Sequence, residues 1–186
     1  MIDVYEERVK EGEYAKWPYD KSLPADKMYK DPEKDGYVFI GWKFNDKEPF
    51  YPNPNNESEN PFGPINSNTD IQGIFDIPNK IIVTSDISEI GYDERRIEII
   101  YYLKTANNYY LATTEKLNIV PIDVDQSWYE DGNVQVVNNQ IVKTILIYEN
   151  DSDENRLFTF KGVLNGFPNT ESDIVEITQR ARQESG

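Results

Sequence analysis

Two acidic turns hold the side chains of this sequence that are best suited to chemistry. Each turn brings four carboxylates into a short segment: Asp123, Asp125, Glu130 and Asp131 in PIDVDQSWYEDGN, and Glu149, Asp151, Asp153 and Glu154 in YENDSDEN. Calcium binds about six to eight oxygen ligands from such loops, and two carboxylates across a cleft form a glycosidase site. Neither turn has helix–loop–helix calcium spacing and no cleft is identifiable, so solvated turns are the favoured interpretation and calcium is the rival one.

The absence of two residue types excludes several kinds of catalytic and metal-binding site. The chain contains no cysteine and no histidine, which excludes thiol nucleophiles, disulfides, zinc–sulfur sites and imidazole bases. We therefore expect no enzymatic activity and no cofactor. The 34 acidic and 19 basic residues give a formal net charge of −15. Because this charge repels phosphate and anionic lipid, neither nucleic acid nor a membrane is an expected partner.

The elements that carry these turns are predicted to be strands. In RRIEIIYYLK, Ile97, Ile99, Tyr101 and Leu103 alternate with residues of the opposite face. NVQVVNNQIVKTILIYEN forms two such runs joined by Asn138 and Asn139, which tolerate the left-handed conformation of a tight hairpin. LFTFKGVL and DIVEIT continue the pattern, and about seven short strands predict an antiparallel sandwich.

A change in composition divides the chain near residue 79. Nine of the eleven prolines lie before this position. We predict a small β domain over residues 1–78, with an N-terminal arm and a Pro/Asn-rich loop, and a sandwich domain over residues 79–186. The loop, YPNPNNESENPFGPINSNT, favours a solvated surface segment. The rival interpretation is that Phe50, Tyr51 and Phe62 are apolar anchors for a partner.

Within the stretch DGYVFIGWKF, residues 36–42 combine two glycines with three aromatic residues. Strand alternation places Tyr37 and Phe39 on one face, with Trp42 on the other. A glycine inside a strand, here Gly41, marks a bulge or a close approach. We interpret the stretch as the core strand of a small domain, and a stacking site for sugars or peptides is the alternative.

This stretch and its flanks resemble the Listeria–Bacteroides repeat, also called the internalin B repeat. The central pattern GYxFxGW is matched over residues 36–42, with Gly12 and Pro18 in the opening. The closing positions are Ile65, Thr69, Ile71 and Phe75. The resemblance covers about residues 9–76 and implies a β-grasp-like module for display, spacing or adhesion, without catalysis.

The end of the chain is similar to the closing strands of immunoglobulin-like domains of the Bacteroidetes carbohydrate-associated type. The similarity lies in DIVEITQ, where the family commonly ends in V-x-I-T-Q, here Val175, Ile177, Thr178 and Gln179. The fold expected for the whole chain is therefore mostly β: a small β-grasp-like domain followed by an immunoglobulin-like antiparallel β-sandwich. Both resemblances point to Bacteroidetes or to phages that infect them.

The function expected is that of a structural virion protein of a tailed bacteriophage. The chain looks like an auxiliary capsid (decoration) protein of the crAss-like kind, made in the host cytoplasm, because it begins without a secretory signal. Its partners would be the major capsid protein or other virion proteins. Aromatic side chains of the N-terminal arm and the loop are the predicted anchors: Tyr5, Tyr14, Trp17, Tyr19, Phe50, Tyr51 and Phe62.

The alternative is a fragment of a bacterial cell-surface adhesin or glycan-binding protein. In that case the repeat-like domain is a spacer and the sandwich binds a glycan. The side chains expected to stack on sugar rings are those of Trp128 and Tyr129.

Overall fold

The computed structural model describes residues 10–13, 33–44 and 67–182. In this part of the chain the regular structure is strand, with one 3₁₀ turn at Gln126–Trp128 and no α-helix. The chain divides into two compact units, Met1–Asp76 and Ile77–Gly186. The mostly β class predicted from the alternating sequence pattern is confirmed.

The first unit contains a two-stranded antiparallel sheet, β1 (Val38–Phe44) with β2 (Ile71–Asp76). A turn precedes β1, closed by a hydrogen bond from the Tyr37 amide to the Lys34 carbonyl at 3.0 Å. Gly36 has a φ of 80° in this turn, a conformation that favours glycine. The β-grasp-like fold predicted for this unit involves residues outside the described ranges and stays a prediction.

A bulge in β1 rearranges its aromatic side chains. The register shifts between Phe39 and Gly41, as expected for a glycine within a strand. The strict alternation predicted for this strand is therefore wrong: the rings of Phe39 and Trp42 are in contact, with centroids 5.3 Å apart. Phe39 also packs on Phe75 at 5.7 Å, and Gly73 lies opposite Trp42. The spacing of glycine and aromatic residues thus builds a small core, with Phe39 buried.

The second unit is a sandwich of ten strands, seven of them at least five residues long. The bounds are β3 (Pro78–Ser85), β4 (Glu89–Ile90), β5 (Arg95–Thr105), β6 (Tyr110–Leu111), β7 (Leu117–Pro121), β8 (Tyr129–Val137), β9 (Gln140–Ile147), β10 (Arg156–Leu164), β11 (Glu171–Ser172) and β12 (Ile174–Gln179). Asn138 and Asn139 join β8 to β9 with φ of 51° and 60°. The predicted tight hairpin is therefore confirmed.

The strand order is that of an immunoglobulin-like sandwich. One sheet runs β11-β3-β5-β9-β8 and the other β4-β12-β10-β7. The central order β3-β5-β9-β8 corresponds to strands A, B, E and D of a constant-type immunoglobulin domain, and β7, β10 and β12 correspond to C, F and G. The long pairings are antiparallel, while β4 pairs in parallel with β12 and β11 with β3.

The core lies between the two sheets and is built from alternate residues of each strand. In β5, Ile97, Ile99, Tyr101 and Leu103 are buried, as the sequence alternation predicts. The largest fully buried side chains are Ile81, Ile97, Ile99, Leu103, Ile141, Ile145 and Ile147 in one sheet, and Ile90, Leu117, Phe158, Phe160 and Ile177 in the other. These residues exclude water from the space between the sheets, which is the main favourable term in folding.

The two sheets approach each other closely where Gly162 of β10 faces Ile81 of β3. A Cβ placed on Gly162 would collide with the Ile81 side chain and lie 3.2 Å from the Ser172 hydroxyl oxygen. That hydroxyl accepts a hydrogen bond from the Gly162 amide at 2.8 Å. Only glycine therefore fits at this crossing without displacing the neighbouring strand.

Gly162→Ala is expected to lower the free energy of unfolding by about 1–3 kcal/mol, since overpacking forces buried neighbours to shift. Urea unfolding followed by circular dichroism measures the change. Gly91→Ala is the matched control, because a Cβ at Gly91 meets no atom within 4 Å. Equal unfolding midpoints for the two variants would contradict the close approach.

Candidate functional site

The seven aromatic anchors predicted from the sequence lie outside the described residues. They are Tyr5, Tyr14, Trp17, Tyr19, Phe50, Tyr51 and Phe62. Their role in binding a partner stays a prediction. The candidate surfaces described below belong to the second unit.

Three carboxylates of the first acidic turn each contact a different neighbouring residue. Asp125 accepts hydrogen bonds from the Ser127 amide at 2.9 Å and the Ser127 hydroxyl at 2.7 Å. These bonds lower the pKa of the Asp125 carboxyl. Glu130 accepts a hydrogen bond from the Tyr148 hydroxyl at 2.8 Å, which raises the pKa of that tyrosine. Asp131 pairs with Lys143 at 3.1 Å.

The second acidic turn is organised by the hydrogen bonds of Asn150. Asp151 lies 3.5 Å from the Arg156 guanidinium, and the buried Asn150 side chain bonds to the turn from inside. In residues 10–13, 33–44 and 67–182, no three acidic side chains come together in a way that could hold a metal ion. The arrangement favours solvated turns over the calcium interpretation of these eight carboxylates.

The ring of Trp128 contacts neighbouring side chains of the second unit. The Arg156 guanidinium lies 5.0 Å from its centroid, and the ring packs edge-on against Phe158 at 5.8 Å. Tyr129 packs in the same manner on Phe158 and on Phe160, at 6.3 and 5.6 Å. Both side chains are half-buried. Their contacts close one edge of the sandwich, and they compete with the sugar stacking expected of these two residues.

An exposed apolar edge lies further along the same strand. Val134, Val136 and Val137 of β8, here called the valine edge, are 48%, 54% and 46% exposed. β8 is the last strand of its sheet, and residues 130–140 are all exposed. An exposed strand with β-branched apolar side chains at the edge of a sheet is a typical site for association with another chain.

The valine edge is exposed because β8 extends past the opposite sheet. Val136 is paired with Ile141, so both side chains point to the inner face. Ile141 is fully buried, whereas Val136 is not. The register shifts between Asp131 and Val134, and a Cβ on Gly132 in this bulge would lie 2.8 Å from the Thr144 carbonyl oxygen. The strand therefore leaves the core after Tyr129.

A polar group lies beside the valine edge on the same inner face. Lys143, whose side chain is 14% exposed, pairs with Asp131 and lies opposite Val134. Tyr101 is buried on the neighbouring part of the sheet. Burial raises the pKa of the Tyr101 hydroxyl, and the nearby negative charge of Asp131 raises it further.

An open groove of about 700 Å³ lies beside the loop between β10 and β12. Its lining includes Phe167, Pro168 and Ile174, and its one ionisable residue is Lys161. This part of the structure therefore lacks the pair of carboxylates that glycoside hydrolysis requires.

A buried polar network locks the end of the sandwich. The Asn150 side-chain amide donates to the carbonyls of Glu154 at 2.8 Å and Arg180 at 3.1 Å, and its Oδ1 accepts from the Ser152 amide and hydroxyl. Gln179 Nε2 donates to the Tyr148 carbonyl at 2.8 Å. Asn150 and Gln179 are both fully buried. Gln179, the last residue of the V-x-I-T-Q pattern, thus ties the final strand to the preceding loops.

Sequence reasoning did not identify the valine edge as a surface. The alternation of β8 resembles that of the buried strands, and position within a sheet depends on pairing with distant segments. The signal available in the sequence was the absence of charge. The eleven residues 132–142 include no charged side chain, although 28% of the residues in the chain are charged.

Comparisons with known proteins leave the family open. No protein-family model matches the chain, and no curated protein matches it. Among solved structures, a Bacteroides ovatus GH5 xyloglucanase in complex with a XXXG heptasaccharide is 12% identical with a TM-score of 0.36, over 54% of this chain and 19% of that one. Domains 5–6 of the S-layer protein SbsC are 13% identical with a TM-score of 0.37, over 61% and 60%.

The chain spans less than two thirds of either of these structures. At such identities and TM-scores the two likenesses carry no argument about function. The resemblances to the repeat and to the Bacteroidetes immunoglobulin-like domains stay predictions. In the described residues, no helix is long and apolar enough to cross a membrane.

Asn150→Ala is expected to lower the free energy of unfolding by about 1–3 kcal/mol, since it leaves buried carbonyls and an amide without partners. Urea unfolding measures the loss. Asn118→Ala on β7 is the matched control, since Asn118 is exposed. A change at Asn150 no larger than that at Asn118 would show that the network does not stabilise the sandwich.

Ionisation of the buried Tyr101 hydroxyl is expected to lower the free energy of unfolding at alkaline pH. Its pKa is raised in the folded protein, so folding favours the neutral hydroxyl. Its contribution is complete below the ordinary tyrosine value of about 10 and is lost as the pH rises through the higher folded value. The melting temperature of the wild type should therefore fall more steeply above pH 10 than that of Tyr101→Phe. Parallel curves would contradict this role.

Proposed function

We propose that this chain is a non-catalytic structural protein of a tailed-phage virion, an auxiliary capsid protein that docks on the capsid surface. Its partner is the major capsid protein or another virion protein. Docking proceeds through apolar and hydrogen-bonding contacts rather than through charge.

One observation carries the non-catalytic part of this proposal. The acidic side chains that could have formed a reaction centre are used in separate local contacts: Asp125 caps a 3₁₀ turn, Glu130 binds Tyr148 and Asp131 pairs with Lys143. In contrast, three exposed valines follow one another on a single strand. A surface of this kind suits contact with another protein more than chemistry on a substrate.

The assignment to a virion is supported by the sequence. A chain with a formal charge of −15 and no cysteine stays soluble before assembly and needs no oxidation to fold. Small modules of immunoglobulin-like and repeat-like type, with an aromatic-rich arm and loop, suit a protein added to the outside of a shell.

Quantitative mass spectrometry of gradient-purified particles from the source culture tests the proposal. The chain is expected as a stoichiometric component of the particles and not of the cell-envelope fraction. Its presence in the envelope alone, within a longer polypeptide, would overturn the virion assignment.

The predicted anchors can be tested on the same particles. Trp17→Ala combined with Phe62→Ala is expected to reduce incorporation. Leu157→Ala combined with Ile174→Ala is the matched control, because these apolar side chains are exposed on the sandwich. Equal incorporation of both double variants would place docking outside the arm and loop.

A cell-surface adhesin is the second candidate, favoured by the match of residues 36–42 to a repeat of surface proteins. In that role the sandwich would bind a glycan. Since the Trp128 ring contacts Arg156 and Phe158, binding would require other exposed aromatics, of which Tyr110 is 54% exposed. A glycan array probed with the wild type and with Tyr110→Ala tests this candidate. Saturable binding by the wild type that is weakened in Tyr110→Ala is expected, and an array without saturable binding by the wild type would exclude it.

A further inference from the structure

We propose that the free edge of β8 pairs with β8 of a second copy of this chain, forming a two-fold symmetric dimer. The two strands would run antiparallel and join the larger sheets of the two copies into one continuous sheet. This inference is independent of the virion assignment.

The first argument is the position of β8 in the sheet. It pairs with β9 along one side, and no other strand of residues 10–13, 33–44 and 67–182 pairs with it. An edge strand presents a row of unpaired backbone donors and acceptors, which another strand can satisfy. The nine residues of β8 are enough for a ladder of several hydrogen bonds.

The second argument is the apolar character of the edge. Val134 and Val136 lie on the inner face of the sheet and are 48% and 54% exposed. β-branched residues favour strand pairing and pack well across a sheet. A strand added beside β8 would cover part of both side chains.

The third argument concerns charge and identifies the occupant. Two copies of a chain with a formal charge of −15 repel each other, and this repulsion is weakest where the surfaces that meet are neutral. Residues 132–140 provide such a surface, since they are all exposed and none of them is charged. A basic partner would be attracted to the acidic faces instead, so the neutral edge is better suited to a second copy.

The register of the pairing follows from the sequence. Centring the antiparallel pair on Gln135 places Val134 of each copy opposite Val136 of its partner. The four valines then form two adjacent cross-strand pairs on the inner face. In this register Asp131 lies opposite the neutral Asn139 of the partner's hairpin turn, so no like charges face each other. The contact is self-complementary, as a two-fold interface requires.

Sedimentation equilibrium tests the dimer. The wild type and Ile174→Lys are expected to dimerise, since Ile174 is 57% exposed on the other sheet. Val136→Lys is expected to raise the dissociation constant by about tenfold or more, since lysine on an edge strand opposes pairing. Circular dichroism verifies that each variant is folded. A monomeric wild type, or equal weakening by both lysines, would overturn the proposal.

Disulfide trapping tests the register. Gln135→Cys places a thiol on the two-fold axis of a chain with no other cysteine. Opposite residues of an antiparallel pair have Cα atoms about 4.5–5.5 Å apart, which a disulfide can bridge. Oxidation is expected to give a covalent dimer faster than in Asn118→Cys, on the edge strand of the other sheet. Equal rates would overturn pairing through β8.

Salt dependence separates this dimer from one held by charge pairs. Raising the salt from about 0.01 M to about 0.15 M shortens the screening length from about 30 Å to about 8 Å. Because the two acidic copies then repel each other less, dimerisation should strengthen. Weaker dimerisation at the higher salt would contradict a neutral contact.

Discussion

Packing of two sheets over one apolar layer is the constraint on which the second unit depends. Phe158 and Phe160 supply the largest side chains of this layer, and Gly162 brings their strand directly onto Ile81. Because interiors pack as densely as organic crystals, a larger side chain at this crossing would displace its buried neighbours. The alternation of large residues with one obligatory glycine in β10 is thus a consequence of sheet-to-sheet distance.

The end of the sandwich near Asn150 and Gln179 is held by buried hydrogen bonds and not by apolar packing alone. Loops there cannot pair as strands, so their backbone groups need side-chain partners. Asn150 supplies three such partnerships while fully buried, and Gln179 links the last strand to the Tyr148 carbonyl. An acidic turn that looked like a ligand set is therefore shaped by a neutral amide, and its carboxylates remain at the surface.

The exposure of the valine edge follows from where the apolar layer stops. Tyr129 anchors the start of β8 on Phe158 and Phe160, and the bulge after Asp131 carries the strand beyond the opposite sheet. The residues that follow keep the β-branched, uncharged character of a core strand without the cover of a core. In a strongly acidic molecule such an uncharged strand is the part of the surface that repels a like-charged copy least.

The sequence by itself determined the β class, the hairpin at Asn138 and Asn139 and the inward face of β5, because alternation and turn chemistry act over a few neighbouring residues. It also predicted the irregularity at Gly41, although the bulge reversed the expected side of Trp42. Only the tertiary structure decided which strand is an edge and which partner each carboxylate contacts, since these depend on pairing between distant segments. Val136 and Ile141 are both apolar strand residues, and only the extent of the opposite sheet leaves one exposed and the other buried.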